Sequence, residues 1–144
     1  MMAGEVPRRL GPRGAYLLAT AAGLAYYAGQ IIVDPRYSTT RGLTPVSDLV
    51  PLDVLGWAWM ACAVLGAAFA VGRVWRPDLD RFGFAAATFP PVMWWSAFMW
   101  SWLDTGRQGY PSGGTWLCWA AGLTIVNVYL DRLPQGARKG HIDA

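Results

Sequence analysis

The chain has 144 residues, of which 54% carry apolar side chains and only 15% are charged, with 17 glycines besides. A soluble domain of this length normally carries about a quarter charged residues. Its formal net charge of +3 comes from eleven arginines and one lysine spread along the chain rather than gathered into a patch, which excludes an ordinary globular enzyme, a nucleic-acid-binding domain and a disordered chain.

Four stretches, 15–33, 54–72, 82–103 and 113–130, hold no charged residue at all. Each is close to the roughly 20 residues that a bilayer-crossing helix needs. The spacing therefore predicts an all-α integral membrane protein: four transmembrane helices in an antiparallel bundle, forming one polytopic domain with short tails 1–14 and 131–144. The first stretch follows Arg8, Arg9 and Arg13 and so competes with a cleaved signal peptide. Its 19 charge-free residues exceed the roughly 7–15 of a signal core, and Leu10-Gly11 after Arg8-Arg9 makes only a weak twin-arginine pattern. The loop over 34–53 holds Asp34, Arg36, Arg41, Asp48 and Asp53 among Pro35, Pro45 and Pro51. It reads as turns and helix starts, with Asp53 expected to cap the second span.

The second stretch has no polar face, as a soluble amphipathic helix would. The 73–81 segment, with Arg73, Arg76, Asp78, Asp80 and Arg81, reads as a solvated hairpin with internal ion pairs, its arginines reaching toward headgroups. The third stretch is interrupted by Pro90-Pro91, which deprive the carbonyls of Ala86 and Ala87 of their usual amide donors. A kink is expected there, with Thr88 or Ser96 satisfying the opening. It serves either as a static bend beside Trp94 and Trp95 or as a hinge or pore constriction. The fourth stretch carries Thr115, Thr124 and Asn127. Asn127 reads as a helix–helix hydrogen bond rather than a site.

Helices associate in lipid through close backbone approach at small residues. Ala15, Ala19 and Gly23 form one such row in the first span, with Ala21, Ala25 and Gly29 beside it. Ala58, Cys62, Gly66 and Ala70 form another in the second, flanked by Ala63 and Ala67, and Gly114, Cys118 and Gly122 one in the fourth. The rows serve packing within one chain or between copies.

Charge and aromatic placement give the orientation. Nine basic residues fall in the two tails and the 73–81 loop, against three (Arg36, Arg41, Arg107) in the other two loops. Basic loops stay in the cytoplasm, so both termini are expected there, with the protein in the inner membrane. Six of nine tryptophans, Trp57, Trp59, Trp100, Trp102, Trp116 and Trp119, lie near the opposite ends of the spans. They are expected as interface anchors, where an apolar ring with a polar tip is most at ease.

Chemistry is sparse. None of the four stretches contains Asp, Glu, Lys, Arg or His, the residues that mark proton relays and embedded sites in membranes. Cys62 and Cys118 are isolated, with no C-x-x-C spacing, although similar depth leaves a disulfide between them open. His141, the sole histidine, forms no metal site alone. No catalytic residue, cofactor, metal or nucleic-acid partner is expected.

The block Pro51-Leu52-Asp53-Val54-Leu55-Gly56-Trp57, the run Asp80-Arg81-Phe82-Gly83-Phe84-Ala85-Ala86 and the prolines before Trp94-Trp95 resemble small four-span membrane proteins of actinobacterial phages, over residues 45–130. The preference for Arg over Lys fits a GC-rich genome. The resemblance implies a host-membrane location, and some of those proteins are regarded as candidate holins. It carries no site residues. The leading expectation is a non-enzymatic inner-membrane protein with holin-like permeabilisation. A second is an accessory protein binding another membrane protein through an aromatic outer face, and a third is a small channel or carrier for a neutral solute. The expected partners are the lipid bilayer and either further copies of the chain or another membrane protein.

Overall fold

A computed structural model describes residues 5–34, 44–105 and 110–129. The tails and the segments 35–43 and 106–109, and with them Arg36, Arg41, Arg107, Arg132, Arg138, Lys139 and His141, lie outside the described residues, as do the side chains of Arg8 and Arg9. The elements are α1 (Glu5–Val33), α2 (Thr44–Ser47), α3 (Leu52–Gly72), a 3-10 turn (Pro77–Leu79), α4 (Asp80–Thr105) and α5 (Tyr110–Tyr129). The described residues are all-α with no strand, and the four long helices coincide with the four charge-free stretches.

Only α1, over Leu10–Val33, and α3 are both long and apolar enough to cross a membrane by length and composition. The other two have the length, but Thr88, Pro90, Pro91, Ser96 and Ser101 dilute α4, and Thr115, Thr124 and Asn127 dilute α5.

Sequence explains the ends. α1 begins inside the expected tail, and its helical dihedrals break at Gly11 (φ 62, ψ 175). This left-handed conformation is open to glycine because it lacks a Cβ, and Pro12 restarts the helix with the φ that proline favours. At α3 the expected cap is displaced. Pro51 is the N-cap, without a side-chain cap bond, and Asp53 lies inside the first turn, where its charge faces the positive end of the helix dipole.

Consecutive long helices run antiparallel. α1 packs on α3, α3 on α4, and α4 on α5, with a lesser contact between α1 and α4. Long side chains bridge α1 to α5: Arg13 reaches Asn127, and Tyr27 meets Trp116. The core holds Leu17, Leu24, Trp59, Phe84, Trp94 and Leu123, all nearly or fully buried. The tightest crossing is at Gly83, where a Cβ would lie 2.6 Å from Leu17 Cδ2 and 3.0 Å from Phe69 Cβ. Gly66 stands opposite, its carbonyl 3.3 Å from that same position.

α4 runs as one helix with Pro90 and Pro91 inside it, both fully buried against the bundle. Thr88 and Ser96 do not fill the gaps they leave: Thr88 Oγ1 donates to the Phe84 carbonyl at 2.7 Å and Ser96 Oγ to Val92 at 2.9 Å. A helical hydroxyl reaches the carbonyl four residues back, and neither Ala86 nor Ala87 stands at that distance from these two residues.

Candidate functional site

Three features carry what chemistry the bundle has: its perimeter, an ionic cluster at one end and an aromatic cluster at the other.

The perimeter is mostly apolar, with Gln30, Ser96, Ser112, Thr115 and Thr124 as exposed polar residues of the long helices. Val54, Trp57, Val64, Leu65 and Val71 of α3 face outward, as do Phe82, Phe89, Val92 and Trp100 of α4 and Leu117, Ile125 and Val128 of α5. Charged side chains among the described residues sit only at the ends. Asp34, Asp48, Asp53 and Asp104 are exposed at one, and Arg76, Asp78 and Arg81 at the other.

At the basic end the antiparallel register brings four helix termini together. Asp80, the first residue of α4, is 2% exposed and Arg13 of α1 is 5% exposed. Arg13 Nε lies 2.9 Å from Asp80 Oδ2, and Arg73, the C-cap of α3, pairs with the same oxygen. Arg13 Nη2 also donates to Asn127 Oδ1 of α5 at 2.5 Å, and its guanidinium carbon sits 5.1 Å from the centre of the Phe84 ring. Each helix of the bundle thus contributes one group. The local fields suit them: a carboxylate at the start of α4 and a cation at the end of α3 both complement the helix dipoles.

The expected hairpin ion pairing is present between Arg73 and Asp80, but the hairpin is solvated only in part: Arg76, Asp78 and Arg81 are exposed, whereas Asp80 is buried and clamped by a second arginine from α1. Asn127 does form a helix–helix hydrogen bond. Sequence reasoning missed Arg13 and Asp80 because both flank charge-free stretches and so read as tail and loop. The usable signal was register, since antiparallel packing places the starts of spans one and three level with the ends of spans two and four.

At the other end each long helix contributes one ring. Trp59 lies 4.9 Å from Tyr27, 5.0 Å from Trp94 and 5.3 Å from Trp116 between ring centres, the last two edge-on. Trp94 Nε1 donates to the Tyr27 hydroxyl at 3.2 Å. Edge-on and offset pairs contribute about 0.5–1.5 kcal/mol each beyond the area they bury.

The expected anchors therefore divide. Trp57, Trp100 and Trp102 are exposed, Trp59 is 1% exposed and belongs to the core, and Trp116 and Trp119 are partly buried and stacked on each other at 5.4 Å. Depth alone does not tell anchor from core, because helical phase decides which way a ring points.

The small-residue rows divide for the same reason. Steps of four residues advance a helix by about 40° beyond a full turn. The row from Ala58 starts exposed, passes through half-buried Cys62 and reaches the core only at Gly66 and Ala70. Ala15 and Ala19 are likewise exposed before half-buried Gly23, which abuts Trp119. In α5, Gly114 and Gly122 are half-buried and Cys118 is exposed; a Cβ at Gly114 would meet nothing within 4 Å. Cys62 and Cys118 are both free thiols. Among the described residues no three His, Cys, Asp or Glu side chains gather to hold a metal.

No family model matches the chain, and no curated protein or solved structure is significantly similar to it.

Proposed function

We propose that the chain is a non-enzymatic inner-membrane protein that crosses the bilayer four times, keeps both termini in the cytoplasm and acts on the membrane itself. In this reading copies assemble sideways into a permeabilising lesion of the holin kind, and the phage resemblance supplies the setting, a bacterial host membrane. The observation that carries it is the apolar, charge-free perimeter. Soluble monomers rarely expose apolar patches beyond a few hundred Å², whereas here every long helix turns large apolar side chains outward.

Three hydroxyls within the spans are satisfied as hydrocarbon demands: those of Thr88, Ser96 and Thr124 bond their own helix backbone. The basic end, with Arg76 and Arg81 exposed, matches the cytoplasmic face, and the acidic end matches the opposite one. Lateral assembly is supported by Ala15, Ala19 and Ala58, which stay on the outside of the bundle and would allow close approach of a second copy.

Expression of the full chain alone in a bacterium, with membrane potential followed by a voltage-sensitive dye, tests the reading. Abrupt depolarisation above a threshold density supports it, and steady potential at high expression refutes it. A second reading, an accessory protein docking another membrane protein, draws support from Trp57, Trp100 and Trp102, exposed on the perimeter. Mild-detergent pull-down distinguishes the two: a stoichiometric partner favours the second, homo-oligomers the first. A channel through a single copy has the least support, since rings fill the axis.

A further inference from the structure

Toward the acidic end of α4, Trp95, Ser96, Met99, Trp100, Leu103 and Asp104 line a groove of about 550 Å³ that opens onto the perimeter. That volume lies within the range of small-ligand sites, and its chemistry is one-sided. Trp95, Met99, Trp100 and Leu103 make an apolar trough, and the Ser96 hydroxyl is occupied by the Val92 carbonyl at 2.9 Å. Among the described residues that line it, Asp104 is the only charge; Arg107, three positions on, lies outside the described residues. Asp104 sits in the last two residues of α4, a helix with no basic residue in its final turn. A carboxylate there faces the negative end of the helix dipole, the wrong sign for that position. No ion pair or hydrogen bond with another described residue compensates it.

We propose that this groove holds the ammonium headgroup and upper acyl chain of a phosphatidylethanolamine-type lipid of the outer leaflet. The inference rests on the membrane reading above. Charge complementarity selects the occupant. The carboxylate takes the ammonium, the exposed face of Trp100 offers a cation–π contact, and Trp95, Met99 and Leu103 give the upper acyl chain an apolar wall. A lipid whose headgroup is anionic, such as phosphatidylglycerol, meets Asp104 with like charge and has no cation to offer it. Anionic lipid is instead matched by Arg76 and Arg81 at the opposite end of the bundle, so the readout must be local to the groove.

The test reconstitutes the full chain in bilayers of equal phosphatidylethanolamine and phosphatidylglycerol, with bromine quencher on the acyl chains of one lipid or the other. Fluorescence lost between wild type and Trp100→Phe isolates the signal of that indole. Relative association at Trp100 is expected to favour phosphatidylethanolamine about three- to tenfold, the range that one exposed ion pair and one cation–π contact supply. Asp104→Asn, a change at an exposed position, should bring the ratio toward one. Equal quenching by the two lipids, or a preference that survives Asp104→Asn, overturns the groove assignment while leaving the membrane reading intact. Absence of quenching by either lipid overturns both.

Discussion

Replacing Asp80 by Asn should loosen the basic end of the bundle more than any other single change of charge. The carboxylate holds Arg13 at 2.9 Å and Arg73 on the same oxygen, with side-chain exposures of 3% for Asp80, 6% for Arg13 and 22% for Arg73. At an effective dielectric of about 20, unit charges about 4 Å apart attract by about 4 kcal/mol. The Arg13 pair deserves that weight because both partners are buried, whereas Arg73 can turn toward water and recover much of its share. Removing one partner of a buried pair costs about 3–5 kcal/mol. For a chain of this size that is a fall in Tm of roughly 9–15 °C.

The assay is thermal unfolding of the full chain in mild detergent, followed by circular dichroism, with Asp78→Asn as control because Asp78 is exposed in the same hairpin. Adding Arg13→Gln to Asp80→Asn should return about 2 kcal/mol, since the stranded guanidinium is then gone. The reasoning fails if Asp80→Asn unfolds within about 2 °C of the control, or if the two substitutions simply add.

Gly83→Ala should cost about 1–3 kcal/mol by overpacking, because the new methyl would lie 3.0 Å from Phe69 Cβ and closer still to Leu17. Gly114→Ala, with nothing within 4 Å of its Cβ position, should be neutral or stabilising by up to about 1 kcal/mol through helix propensity; equal Tm shifts for the two would refute the crossing geometry. Alkylation without reductant followed by mass spectrometry should give two adducts, one each on Cys62 and Cys118. The exposed Cys118 should react faster with a membrane-permeant reagent, and a recovered Cys62–Cys118 disulfide would contradict the packing.

Helix positions were legible because a run without charges is a one-dimensional signal: each of the four stretches lies within or at the edge of a long helix. Level along the bundle was legible in part: Arg13, Arg73, Arg76 and Arg81 fall at one end, and Tyr27, Trp59, Trp94 and Trp116 meet away from it, although Tyr16 and Phe84 stack at the basic end. Azimuth was not. Trp57 and Trp59 stand two residues apart and share a depth, yet the helix turns one outward and the other into the core. Likewise Ala58 and Gly66 belong to one four-residue row, but the drift of that row relative to the helix axis puts them in different surroundings. The Arg13–Asp80 contact was hidden for a related reason. It joins residues 67 positions apart, and each alone looks like an ordinary flanking charge. Combining span register with phase, rather than either separately, would have placed both in the interior.

The same packing constrains how any membrane lesion forms. Leu17, Leu24, Trp59, Phe84, Trp94 and Leu123 fill the axis, the ionic cluster ties all four helices at one end, and the rings tie them at the other. A single copy therefore keeps its own centre closed, and a water path has to open between copies. Release of a vesicle-trapped dye should then rise as a power of the protein-to-lipid ratio, with an apparent order above about two, rather than in proportion to it. Ala19→Leu or Ala58→Leu should raise the threshold by blocking close helix approach, whereas Val64→Leu, at a position also exposed and already bulky, should leave it unchanged. Release proportional to protein at the lowest densities, with all three variants alike, would mean that the lesion lies within one copy and that the outward small residues have no part in it.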